Sequence, residues 1–201
     1  MPELAELDEA LVEQYTQGRL VANDPETSRL LRAALAAART HCGWHVTPVK
    51  TDDTVELDGP GGHTLMLPTL KLIALSEVRE RVGAYGGSVN EVLYAPAQLE
   101  TSRQGMVRKR PGLTPHGPWW TDELGAITVK MTHGYTEDEA GDWVGAVLSA
   151  IDRASTMFGG GPFTAIGPFQ YGATASSSSA HSQFSDAERA TFDLYRLEPT
   201  P

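Results

Sequence analysis

The apolar residues of this chain change their spacing twice, and those two changes limit the folds it can adopt. Before Gly43 they recur every three or four positions; from Val46 to Thr132 they alternate in short segments broken by glycine and proline; after Thr136 the longer spacing returns. Helices bury one face at a period of about 3.6 and strands at a period of about 2. The pattern therefore predicts an α+β protein: a small helical bundle with a β-rich insertion, an extended C-terminal arm and a short terminal helix. The expected segments are residues 1–45 for the N-terminal helices, 46–135 for the insertion, 136–158 for a third bundle helix, 159–184 for the arm, and 185–201 for the last helix and tail.

Leu4, Leu7, Leu11 and Tyr15 predict a first amphipathic helix that fades at Gly18. Asp24, Pro25 and Glu26 then form a helix start: a capping carboxylate, a proline whose missing N–H costs nothing, and a negative charge at the positive end of the dipole. Leu31, Leu35, Ala38 and Cys42 share one face of that second helix, and Ala33, Ala34, Ala36 and Ala37 keep its other sides small. Thr136 and Glu139 make a capping box ahead of a broad stripe of Ala140, Trp143, Val144, Val147, Leu148, Ile151 and Ala154. Leu31, Leu35, Trp143, Val147 and Ile151 are the predicted bundle core. A second capping box, Ser185 with Glu188, opens a short helix expected to carry Ala187, Thr191, Leu194 and Tyr195.

Within the insertion, Val55 and Leu57 alternate with Thr54, Glu56 and Asp58, GPGG follows, and Leu65 and Leu67 resume the alternation, which predicts a hairpin. Ile127, Val129 and Met131 against Thr128, Lys130 and Thr132 form the cleanest two-faced strand. The basic run Arg108, Lys109 and Arg110, with Arg103 upstream, reads as a solvated strand or loop edge.

Composition excludes several classes. A net charge of −10 disfavours tight, sequence-independent binding to DNA, which depends on basic groups displacing phosphate counterions. One cysteine excludes an intramolecular disulfide, no run of residues is long and apolar enough to span a membrane, and the acidic start is unlike a signal peptide. The expected site of synthesis is the cytoplasm. Catalytic and metal chemistry find little support. His41, Cys42 and His45 lack the fourth ligand of a closed zinc site. His133 has no nucleophile in a recognisable setting and reads as a structural turn histidine. GPGG lacks the lysine of a phosphate loop, and the carboxylates of TEDEAGD favour a helix dipole. No enzyme, cofactor or metal is expected.

One segment asks for a partner. Phe163, Ile166, Phe169 and Tyr171 punctuate a stretch that Gly and Pro keep extended, and each left in water forfeits ~1.5–3 kcal/mol. They fold back on their own domain or lie on a neighbouring chain; the neighbour is the expectation, with truncation after Phe158 leaving a folded monomer unable to assemble.

The succession LLRAALAAARTHCGWHVTPV, LDGPGG, LMLPTL, ITVKMTHGY and ERATFDLYRL resembles the head-to-tail adaptor, or head-completion, proteins of siphophages, particularly those infecting actinobacteria. The resemblance covers about residues 18 to 198. It departs from their usual pattern in reading TEDEAGDW after THGY, where relatives have a proline-containing helix start. It implies a structural virion protein of the neck: a ring of about twelve copies, with the portal above, a stopper or tail protein below, and the genome passing through the channel it lines. The alternatives are another neck or tail component, such as a stopper or tail terminator, and a small acidic enzyme.

Overall fold

The computed structural model describes residues 7–83, 89–157 and 184–197. They form two compact units: a helical one drawn from both ends of the chain, within Met1–Pro48 and Thr136–Arg196, and a β unit within Val49–Tyr135. The class is α+β, as the alternation of periods predicts.

In the helical unit, α1 (Glu9–Tyr15) starts at Asp8, whose carboxylate accepts from the Leu11 N–H at 2.8 Å. Its inward face differs from the predicted stripe. Leu7 and Val12 are buried, whereas Tyr15 is 45% exposed; Leu4 lies outside the described residues. Thr16 is fully buried because its hydroxyl donates to the Val12 carbonyl at 2.8 Å, so a polar residue occupies a core position that an apolar count passes over. The loop to α2 is tied by α1 carboxylates: Glu13 accepts from the Ala22 N–H and Glu9 from the Asn23 N–H.

Helix α2 (Pro25–Cys42) has the Asp24 cap and closes on Gly43, whose φ of 78° is left-handed and lets its N–H reach the Arg39 carbonyl. Leu31, Leu35, Ala38 and Cys42 are buried, together with Leu30 and Ala34. Helix α3 (Gly141–Met157) begins after a turn at 137–140. Thr136 and Glu139 exchange side-chain-to-backbone hydrogen bonds at 3.2 and 3.3 Å across that turn, which supplies the helix start without a proline. Trp143, Val147 and Ile151 are fully buried.

Helix α4 (Asp186–Asp193) carries the Ser185–Glu188 capping box, but its inward face is Glu188, Phe192 and Tyr195. Ala187 and Leu194 face solvent, Leu194 at 72% exposure, contrary to the sequence expectation. The reason is a bidentate ion pair: Arg153 of α3 donates to both Glu188 oxygens, at 2.5 and 2.7 Å, which removes the cost of burying a carboxylate. Phe192 meets Trp143 and Phe184 edge-on, with ring centroids 6.2 and 4.7 Å apart, and the Trp44 indole donates to the Tyr195 carbonyl. Truncation after Phe158 therefore removes part of this core, so the expectation that it leaves a folded monomer is corrected.

The β unit holds two antiparallel sheets. One has β1 (Lys50–Leu57), β7 (Ile127–His133), β3 (Leu72–Gly83) and β4 (Val89–Tyr94), in that spatial order; the other has β2 (Thr64–Met66), β6 (Met106–Lys109) and β5 (Leu99–Thr101). Inward residues of both make one core, including Val78 and Val129 from the first and Leu65 and Val107 from the second. Strand β7 buries Ile127, Val129, Met131 and His133 on one face, as its alternation predicts.

The predicted hairpin across GPGG does not form. β1 pairs with β7 and β2 with β6, so the glycine loop passes from one sheet to the other. Its backbone lies against residues 120–123 instead: Gly59 N–H to the Glu123 carbonyl, Gly61 N–H to the Thr121 carbonyl and Trp120 N–H to the Gly62 carbonyl, each 2.9 Å. A Cβ on Gly59 would stand 2.2 Å from the Thr121 oxygen. Gly59→Ala is expected to lower unfolding stability by about 2 kcal/mol through this backbone clash. Gly145→Ala, at an open position of α3, is expected to raise it by roughly 0.5–1 kcal/mol. Urea unfolding of the two variants checks both signs.

Candidate functional site

The conspicuous His and Cys residues are spent on the fold. His41 Nε2 lies 2.8 Å from Asp193 Oδ1, and His45 Nε2 lies 3.0 Å from the Pro48 carbonyl. Cys42 is a core thiol 3.5 Å from the Phe192 carbonyl, and burial pushes its pKa up to about 11, so it holds its proton at neutral pH. His133 is the last residue of β7 and is buried beside Asp53, its Nε2 3.1 Å from Oδ2. Burial lowers its pKa against the opposing pull of that carboxylate. Among the described residues no group of three or more His, Cys, Asp or Glu side chains is arranged to hold a metal ion, and no helix is long and apolar enough to cross a membrane.

The chemistry concentrated in the β unit is a buried charge pair. Glu80 of β3 and Lys109 of β6 are 1% and 3% exposed, with Nζ 2.5 Å from Oε2. The carboxylate also accepts from the Tyr94 hydroxyl at 2.6 Å and the Thr121 N–H at 2.7 Å, and the ammonium donates to the Trp119 carbonyl at 2.7 Å. Lys109 lies over the Tyr94 and Trp120 rings, 4.9 and 4.5 Å from their centroids. Burial lowers the Lys109 pKa and the Glu80 charge opposes that shift; burial and the Glu80 carboxylate together raise the Tyr94 pKa. With its oxygens and protons so engaged, the pair is a structural bolt.

This corrects the sequence expectation that the basic run is a solvated edge. The pleat turns Lys109 inward beside Val107, while Arg108 and Arg110 face out, bonded to the Thr64 hydroxyl and the Leu99 carbonyl. The missed signal is period two itself. Glu80 falls in register with Val78 and Val82, and Lys109 with Val107, so opposite charges at core positions of two strands mark a buried pair.

Next to the bolt is an open cavity of about 460 Å³, lined among others by Trp119, Trp120, His116, Asp122 and Glu123. Trp119 is 56% exposed, and His63 stacks on it with centroids 3.8 Å apart. The predicted interface residues Phe163, Ile166, Phe169 and Tyr171 lie outside the described residues. Charge is unevenly divided: the helical unit's sequence holds fifteen acidic and seven basic residues, that of Val49–Tyr135 ten and nine.

No family model matches the chain, and no curated protein matches it. Its fold is similar to that of a chain in the neck of an empty GTA particle, a structure computed with C6 symmetry. The TM-score is 0.56 and the identity 15%, over 99% of this chain and 96% of that one.

Two predictions follow from the buried groups. Lys109→Met strands the Glu80 carboxylate and is expected to cost about 3–5 kcal/mol, whereas Lys109→Met combined with Glu80→Gln costs clearly less; chemical unfolding of the two variants compares them. Acid lowers stability in two steps. As pH falls below the ordinary histidine value of 6.5, the unfolded chain takes up a proton that buried His133 resists. Below the ordinary glutamate value of 4.5, the same holds for Glu188, whose burial would raise its pKa but whose hydrogen bonds from Arg153 and Ser185 hold it lower. Urea midpoints measured from pH 8 to 3 should fall in both windows, and His133→Gln should flatten the first.

Proposed function

We propose that this chain is a structural subunit of the neck of a phage or phage-like particle, and within it the head-to-tail adaptor. It is one of a ring of about twelve identical copies, between the portal and a stopper or tail protein. Its role is mechanical joining, not turnover. The observation that carries the reading is the likeness in fold, across both units, to a neck chain of the GTA particle. The sequence resemblance to siphophage adaptors points the same way from the residues alone. A ring of about twelve contains a six-fold axis, so the symmetry of that neck suits the implied copy number.

Two features fit the role. The surplus of acid in the helical unit suits a passage that does not hold DNA phosphates, because a repeated acidic subunit sets up a field that repels them. The aromatic arm, with Phe163, Ile166, Phe169 and Tyr171, suits a contact on the neighbouring copy or the portal, since a cyclic ring joins one patch to a different patch on the next subunit.

A six-fold axis also describes a ring of six, and ring mass separates the two. Particles lacking this chain are expected to accumulate as DNA-filled heads beside unattached tails, with a tagged copy restoring joining and locating at the portal's lower face by cryo-microscopy. Normal joining without the chain would refute the proposal. Replacing the four apolar arm residues by serine is expected to leave the melting temperature unchanged and to abolish incorporation into necks.

A further inference from the structure

Of the four basic residues in and near the run, three are engaged within the β unit, and one is left over. Arg103 stands exposed on the tight turn between β5 and β6, where Gly105 takes a φ of 79°, and its guanidinium has no hydrogen bond or ion pair among the described residues. Asp122, on the rim of the cavity beside Trp119, is likewise exposed and without a side-chain partner among the described residues.

These two groups lie at opposite ends of the β unit. The Arg103 carbonyl accepts from the Leu72 N–H, and Leu72 pairs with His133 at the end of β7. The cavity is built around Glu80, which pairs with Ile127 at the start of β7. At ~3.3 Å per residue, the strand between them spans about 20 Å. A free cation at one end and a free anion beside an open aromatic face at the other form a complementary pair that one molecule cannot close on itself. Such a pair satisfies the geometry of a head-to-tail contact between identical copies.

We infer that the cavity at Trp119 receives Arg103 of the adjacent copy in a ring, an inference that rests on the ring reading proposed above. The guanidinium stacks on the exposed Trp119 indole and pairs with the Asp122 carboxylate. The occupant is a second copy because this chain presents the matching cation on the matching end. The cavity's own cation, Lys109, is already neutralised by Glu80, so its rim stays acidic and selects a positive group.

The test is a charge swap in particles that carry the full-length chain. Arg103→Glu and Asp122→Arg each place like charges in the contact, and each is expected to reduce tail-joined particles by at least about tenfold. The double variant, Arg103→Glu with Asp122→Arg, restores the pairing in reverse and is expected to recover joining to within about threefold of the parent. Both positions are exposed, so circular dichroism and melting of the purified variants should match the parent. A variant that fails that check is replaced by Arg103→Gln or Asp122→Asn and read in the same assay. Single reversals that leave joining intact, or a double variant no better than the singles, overturn the inference. If the unaltered tagged chain is absent from necks, the ring reading itself fails; if it is present and the swaps behave as just described, only the contact is wrong.

Discussion

Glu80 and Lys109 belong to different sheets, and neither can be buried without the other. An isolated charge in an apolar core costs several kcal/mol, and a pair is tolerated only when the remaining lone pairs and protons are also satisfied. Here Tyr94, the Thr121 N–H and the Trp119 carbonyl complete the set. One ion pair thus fixes the distance between the sheets and pins the segment 119–121 across their end. That segment is the surface on which the GPGG loop lies, so the crossing from β1 to β2 depends on the bolt even though no glycine touches it. The Trp119 cavity is a by-product of the same arrangement, since the residues that hold the pair also form its wall.

Much of this was legible in the chain. Helix starts were readable because capping is local: Asp24, the Thr136–Glu139 box and the Ser185–Glu188 box need only residues within three positions of each other. Strand β7 was readable because it lies in the middle of its sheet with one face wholly buried, which enforces a clean alternation. The failures share a cause. The hairpin across GPGG was inferred from neighbours in sequence, whereas β1 and β2 find partners some forty to eighty residues away. The faces of α1 and α4 were misassigned because Thr16 and Glu188 are polar residues made compatible with burial by a partner, one on its own helix and one on α3. Period alone sees the position of a residue and not who satisfies it.

The two units divide the labour that the proposed role requires. Acidity is concentrated in the helical unit, while the β unit is nearly balanced and spends its outward charges on one another: Arg79 with Glu77 and Glu91, Lys130 with Asp52. Exposed pairs of that kind add little stability, since solvent screens them. What they do is leave the sheet face without a strong field of either sign.

Weakness in each contact is consistent with assembly by a ring. A single exposed ion pair with a stacked guanidinium is too small to hold two free molecules together at ordinary concentration. Closure changes the arithmetic, because the last subunit to enter meets two neighbours already held in place, and its second contact forms at a high effective concentration. On the proposed ring reading, a subunit with contacts this weak would associate chiefly where a template holds several copies in register. Strong pairwise contacts would instead let rings or open chains form away from the head, which is the failure that a head-to-tail interface invites.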